Sequence, residues 1–125
     1  MNQEINSRHY LDDEGNPAGG FTVATGIEIT WQNGPLVDPV TGARREPSGA
    51  FVEGVILAAL DRLKFYQGDG KYAATPMTAL NSPQAGKFRC RENALAITKL
   101  EEALHWLAHR TADRERRGVE GTHSV

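Results

Sequence analysis

The sequence predicts an α+β fold, in which a small antiparallel β-sheet in the N-terminal part is followed by a C-terminal antiparallel α-helical hairpin. Two observations predict it. Turn-forming residues are so dense in residues 1–49 that only short strands fit between them. From residue 50 onward, long stretches carry apolar residues at the three- and four-residue spacing of amphipathic helices.

The 125 residues have the length of one domain. We therefore expect residues 1–125 to form a single domain with three parts. Residues 1–49 are the β-rich part, residues 50–117 are the helical hairpin, and residues 118–125 are a short tail.

Three segments are predicted to be strands. Ile27–Gln32 is the clearest, because its apolar and polar residues alternate with the period of two that marks a half-buried strand. Phe21–Val23 is a second strand, and Ile5–Leu11 is a weaker third. Asn33–Pro35 ends the main strand, and its proline favours a loop over a tight hairpin.

The first helix is predicted from about Ala50 to Gln67, with Ser48 as its N-cap. Its apolar residues form one wide face, which is the pattern of a helix packed on a core. Gly68–Gly70 ends this helix, and residues 71–86 are predicted to be a loop.

The second helix is predicted from about Arg89 to Arg116, and Gly118 is a natural stop after it. Such a helix is about 40 Å long, whereas a compact chain of this size has a radius of gyration of about 14 Å. Its apolar stripe is longer than one short helix can cover. We therefore expect a homo-oligomer with cyclic or dihedral symmetry that assembles through the hairpin.

Composition excludes several classes of protein. The formal net charge of −2 argues against a strongly basic DNA-binding protein. The longest apolar run, from Val55 to Leu60, is too short to cross a bilayer. The single cysteine, Cys90, cannot form an internal disulfide, and we expect it to be a small buried core residue rather than a nucleophile. We expect a cytoplasmic protein with neither DNA nor membrane as a partner.

The local charge is more informative than the total. Residues 87–117 carry eight Lys and Arg against five Asp and Glu, a net charge of +3, whereas residues 1–86 carry −4. The cations gather at the two ends of the second predicted helix. A helix N-terminus adds free backbone N–H groups and a positive dipole end, so the start of this helix is suited to an anion.

The start of this helix also offers an aromatic ring and an amide beside its cations. Arg89 and Arg91 can bind a phosphate, Phe88 can stack on a base, and Asn93 can read a base edge. The alternative is a solvated basic surface with no ligand.

A different chemistry is open to the middle of the same helix. Glu102, His105 and His109 have the spacing at which one helix face can offer three ligands to a divalent metal. A metal-dependent nucleotide-processing enzyme that uses these residues is therefore the alternative function. Two surface histidines on an amphipathic helix give the same pattern.

Six blocks of the sequence match one known family, in the same order along the chain. They are residues 26–36, 47–53, 61–67, 88–103, 109–111 and 117–123. Together they resemble the phage Thoeris anti-defence proteins of the first type. Residues 96–103, with the sequence Ala-Ile-Thr-Lys-Leu-Glu-Glu-Ala, are also similar to the helical hairpin of the anti-CBASS cyclic-nucleotide sponges.

This resemblance implies a sponge without catalytic activity or cofactor. Such proteins bind and sequester the cyclic nucleotide signals of bacterial immunity, so that Thoeris or CBASS effectors are not activated. The family's ligand is glyco-cyclic ADP-ribose made by TIR-domain enzymes, and some members hold cyclic di- or trinucleotides at a separate site. The resemblance further implies dimers or larger oligomers with pockets between protomers, in the cytoplasm of the infected bacterial host.

The family motifs place two residues of this chain, Asn93 and Arg110, at pocket positions. Chemistry adds further candidates at the two helix ends and in the tail. The full set of candidate ligand-binding residues is Phe88, Arg89, Arg91, Asn93, Arg110, Thr122 and His123.

Overall fold

The computed structural model describes residues 4–38, 40–73 and 85–116. In chain order its elements are β1 (Asn6–Leu11), β2 (Pro17–Ala24), β3 (Ile27–Trp31), α1 (Val52–Gln67), a 3₁₀ turn (Gly70–Tyr72) and α2 (Arg91–Arg116). A three-stranded antiparallel sheet is followed by helices, which confirms the predicted α+β class. Assembly through the helices stays a prediction.

The described residues fall into two compact units. One unit contains the residues up to Phe51 together with those from Thr111 onward, and the other is Val52–Arg110. That these form a single domain stays a proposal. No helix of the described chain is both long enough and apolar enough to cross a membrane.

The sheet of the first unit has the order β1-β2-β3. β2 begins at Pro17, four residues before the predicted start at Phe21, because Gly20 is a strand residue rather than a turn residue. Gly20 pairs with both His9 and Trp31. Its φ of +136° and the 2.1 Å that would separate a Cβ from the Arg8 carbonyl oxygen explain why only glycine fits there.

The segment before α1 is bound to β3, and this overturns the prediction for Ser48. Gln32 Oε1 accepts hydrogen bonds from the Ser48 and Gly49 backbone N–H groups, and Ser48 Oγ accepts one from the Asn33 N–H. α1 starts only at Val52, so Ser48 is not its N-cap. The serine hydroxyl serves a loop next to the sheet instead.

The second unit is built from α1 and the part of α2 up to Arg110. Among its described residues, the buried apolar ones are Leu60, Ile97 and Tyr72. Lys64 of α1 forms a 3.4 Å ion pair with Glu101 of α2. Large apolar side chains nevertheless remain exposed on both helices. They are Val52 and Leu57 on α1, and Leu95 and Trp106 on α2.

α1 ends at a residue with a left-handed backbone conformation, which glycine adopts without strain. Gly68 has a φ of +72°, its N–H donates to Lys64 O at 2.8 Å, and the N–H of Asp69 donates to the same oxygen at 3.0 Å. This is a Schellman-type helix end. This helix end turns the chain directly after Gln67, which is the last residue of α1.

Candidate functional site

The end of α1 is joined to the start of α2 by one side chain. Gln67 Oε1 accepts a 2.9 Å hydrogen bond from the Cys90 N–H, and Gln67 Nε2 donates a 2.9 Å bond to the Cys90 carbonyl. Gln67 is only 4% exposed. We call this group, Gln67 with residues 88–93, the α2 corner.

Arg89 makes a second connection between the start of α2 and the end of α1. Its Nη1 donates to the Gln67 carbonyl and lies 3.3 Å from Asp69 Oδ1. The Gln67 side chain thus binds the backbone of Cys90, and the Arg89 side chain binds the backbone of Gln67. One nitrogen of the predicted ligand-binding Arg89 is therefore already engaged within the protein.

The first turn of α2 is capped by a thiol. Cys90 Sγ accepts a 3.4 Å hydrogen bond from the Asn93 N–H, which is the contact that an N-cap side chain makes. Cys90 is exposed, so the expectation that it is a buried core residue is wrong. The hydrogen bond to the Asn93 N–H holds the thiol at the exposed start of α2 instead of in a core.

Asn93 is held in the same turn, because its Nδ2 donates to the Phe88 carbonyl at 3.1 Å. Within the described part of the chain, no hydrogen bond engages its Oδ1. The amide therefore keeps an acceptor available beside Arg91. Arg91 is exposed and makes no hydrogen bond or ion pair with another described residue.

An aromatic and cationic stack lies beside the corner. The Phe88 ring, 61% exposed, meets the Tyr66 ring edge-on with a centroid distance of 5.6 Å. The Arg62 guanidinium lies 5.1 Å from the Tyr66 ring centroid, and Arg62 Nε donates to Tyr66 Oη at 3.2 Å. The perpendicular contact with Tyr66 holds the Phe88 ring on one side, and the exposed part of Phe88 is open for stacking.

A carboxylate anchors the 3₁₀ turn to α1 in the same unit. The Tyr72 hydroxyl donates to Asp61 Oδ2 at 2.8 Å, and Lys71 Nζ lies 3.1 Å from Asp61 Oδ1. The Tyr72 hydroxyl first, and then Lys71, lower the pKa of Asp61 below its ordinary value. The same carboxylate raises the pKa of Lys71.

The structure brings four of the seven predicted ligand-binding residues together. Phe88, Arg89, Arg91 and Asn93 share the α2 corner. Arg110 is exposed on α2 but lies 17 residues after Asn93, about 25 Å along the helix axis. Thr122 and His123 lie outside the described residues.

The residues of the metal hypothesis do not form a site. Trp106 lies between the two histidines, with its ring centroids 5.5 Å from His105 and 5.9 Å from His109. The Glu102 carboxylate is 3.8 Å from Lys99 instead. Across the described ranges, no three His, Cys, Asp or Glu side chains are grouped so that they could hold a metal ion. The geometry therefore gives no support to the metal-dependent alternative.

Sequence reasoning missed Gln67, Tyr66 and Arg62. One signal could have found Gln67, since it is a polar residue placed directly before the glycine that ends an apolar helix. Arg62 falls within the apolar stripe of α1, where a cation signals a partner such as an aromatic face.

Comparison with known proteins places most of this chain in one family. Residues 24–112 match the family model described as "Acb2/Tad1, hairpin domain". The chain is also 42% identical, over 95 residues, to a Bacillus phage SBSphiJ7 protein named "Thoeris anti-defense 1". The matched part is 76% of this chain and 51% of that protein, so the chain spans about half the length of the curated relative it matches.

Proposed function

Because the chain belongs to the Acb2/Tad1 hairpin-domain family, we propose that it is a phage anti-defence protein that binds and sequesters a cyclic nucleotide immune signal without cleaving it. The observation that carries the proposal is the 42% identity to a protein named for anti-defence against Thoeris. The preferred signal is glyco-cyclic ADP-ribose, and cyclic di- or trinucleotides are further candidates. Its capture in the cytoplasm of the infected host blocks activation of the effector.

The α2 corner has the chemistry that such a ligand needs. A cyclic ADP-ribose carries a diphosphate and an adenine base. Arg91 and the first N–H groups of α2 suit the phosphates, since a guanidinium and a helix start both favour anions. The exposed Phe88 ring suits the base face, and the Oδ1 of Asn93 suits a donor on the base edge.

The position of Arg110 supports a pocket shared between protomers. One small ligand cannot span the roughly 25 Å that separates Asn93 from Arg110 along one helix. If both contact the ligand, the start of α2 in one protomer faces Arg110 in another. The exposed apolar side chains of α1 and α2 suit such packing, in a dimer or a hexamer.

No step in this function requires turnover. Phe88, Arg91 and Asn93 offer a ring, a guanidinium and an amide, which are groups that bind a nucleotide. Binding strength alone decides whether a sponge competes with an effector for a scarce signal. A ligand of roughly 35 heavy atoms, at about 0.3 kcal/mol per atom, gives about 10 kcal/mol, or a Kd of tens of nanomolar.

Calorimetry with purified glyco-cyclic ADP-ribose tests the proposal. We expect a Kd in the nanomolar range that weakens with added salt, because charge pairing contributes to the complex. ADP-ribose without the ring closure is the matched control ligand and should bind more weakly, because it loses more conformational freedom on binding. Millimolar binding to every cyclic nucleotide in a panel would reject the sponge function.

A further inference from the structure

We propose that Gln67 is a positioning residue for the ligand site at the α2 corner, which it controls by holding the Cys90 backbone. The inference rests on the proposed function, because it assigns a role in binding the same signal. Gln67 itself is buried and contacts no ligand under this proposal. It acts through Arg91 and Asn93, which follow Cys90 in the first turn of α2.

The contacts of Gln67 converge on the residue from which α2 starts. Its Oε1 accepts a hydrogen bond from the Cys90 N–H, and its Nε2 donates one to the Cys90 carbonyl, both at 2.9 Å. That carbonyl also accepts the Ala94 N–H at 3.2 Å, the first helical hydrogen bond of α2. Gln67 therefore fixes the oxygen on which the first turn of the helix is built.

The choice of glutamine follows from its burial. A buried amide must satisfy its donor and its acceptor, and here Cys90 satisfies both at once. Glutamate of the same length keeps the acceptor but, when ionised, loses the donor. Methionine keeps the length and loses both. Gln67 is thus the side chain that can hold both polar groups of the Cys90 backbone.

The side chains of the site depend on this one backbone position. Asn93 is bound through its N–H to Cys90 Sγ and through its Nδ2 to the Phe88 carbonyl. Arg91 follows Cys90 directly. If Gln67 releases Cys90, the first turn can fray, and the ligand must then order these groups as it binds. The expected consequence is weaker binding with an intact fold.

The test compares Gln67→Met with a control of similar kind. Tyr72→Phe also removes a hydrogen bond from a buried side chain of this unit, the one to Asp61, but it does not touch Cys90. We expect Gln67→Met to weaken binding of glyco-cyclic ADP-ribose by about tenfold or more. Tyr72→Phe should leave the affinity within about twofold of the wild-type value, because its lost hydrogen bond lies outside the α2 corner.

A second readout needs no ligand. Hydrogen–deuterium exchange of the peptide that covers residues 88–94 should speed up in Gln67→Met and stay unchanged in Tyr72→Phe. Gln67→Glu, which retains the acceptor, should exchange at an intermediate rate. Unchanged exchange in Gln67→Met would overturn the inference, because the first turn would then not depend on Gln67.

The outcomes separate this inference from the proposed function. If the wild-type chain binds glyco-cyclic ADP-ribose and Gln67→Met binds it equally well, only the inference fails. Equal losses of affinity in Gln67→Met and Tyr72→Phe would also overturn it, since a general loss of stability would explain both. If the wild-type chain binds none, the proposed function fails, and the role of Gln67 in binding fails with it.

Discussion

Arg89 and Arg91 flank Cys90, but only one of them is committed to the fold. Arg89 contacts the Gln67 carbonyl and Asp69, whereas Arg91 has no hydrogen bond or ion pair within the described residues. We expect Arg91→Ala to weaken ligand binding by roughly 10- to 150-fold, the value of a charge-assisted hydrogen bond of about 1.5–3 kcal/mol, without a change in the unfolding midpoint. Arg89→Ala should lower the midpoint. Calorimetry and thermal melts measure both, and the reverse pattern would exchange the two roles.

Asp61 gives the second unit a defined dependence on pH. Because the Tyr72 hydroxyl and Lys71 lower its pKa in the folded state, the stability that it contributes is present above its ordinary pKa of 3.8 and is lost as pH falls through the lowered value. The difference in unfolding free energy between the wild-type chain and Asp61→Asn should therefore shrink as pH falls below about 4. Urea titrations at pH 7 and at pH 3 measure this difference. A difference that stays constant would show that the carboxylate contributes nothing through its charge.

At the residue scale, local chemistry predicts only part of the site. Phe88, Arg91 and Asn93 can be chosen from the sequence because an aromatic ring, a cation and an amide at a helix start form a recognisable local pattern. Gln67 is marked in the sequence only as a polar residue before the glycine that ends α1, and its role is not visible there because its partner Cys90 lies 23 residues away. Arg89 has the same local features as Arg91, and only the structure shows that it is bound to the end of α1.

At the scale of elements, the turn after α1 depends on the backbone conformation of Gly68. Gly68 has a φ of +72°, and a Cβ on it would lie 3.0 Å from Gly86 Cα. Gly68→Ala should therefore cost about 1–3 kcal/mol in unfolding free energy. Gly54→Ala is the matched control, because Gly54 lies within α1 and, apart from the adjacent backbone of its own helix, no atom lies within 4 Å of an added Cβ. It should stabilise the chain by about 1 kcal/mol. Equal effects in chemical denaturation would contradict this account of the turn.

The periodicity of apolar residues predicts the helices and strands better than single turn-forming or capping residues do. β3, α1 and α2 lie within two residues of their predicted bounds, because alternation and helical spacing extend over whole segments. β2 is longer than predicted because Gly19 and Gly20 resemble a turn in the sequence but stand within a strand. Ser48 is misassigned for a related reason, since a serine before an apolar run resembles a cap wherever its hydroxyl actually bonds.

At the scale of the whole molecule, the long α2 and the exposed apolar side chains predict an assembly. Light scattering at micromolar concentration should give a mass at least twice the 13.7 kDa of one chain, and a mass near 13.7 kDa would contradict the assembly. If the pocket is shared, mixed oligomers of Asn93→Ala chains and Arg110→Glu chains should regain some intact sites, although each variant alone has none. No recovery after verified subunit mixing would show that the two residues do not lie across one interface.

Sequestration without cleavage is the central claim, and the recovery of the ligand tests it most directly. Glyco-cyclic ADP-ribose is incubated with an excess of the protein, the free signal is assayed, the protein is then denatured, and the released material is identified by mass spectrometry. We expect the free signal to disappear during incubation and to return intact after denaturation, in the amount that was added. Linear or fragmented products, or a free signal that never falls, would contradict the account.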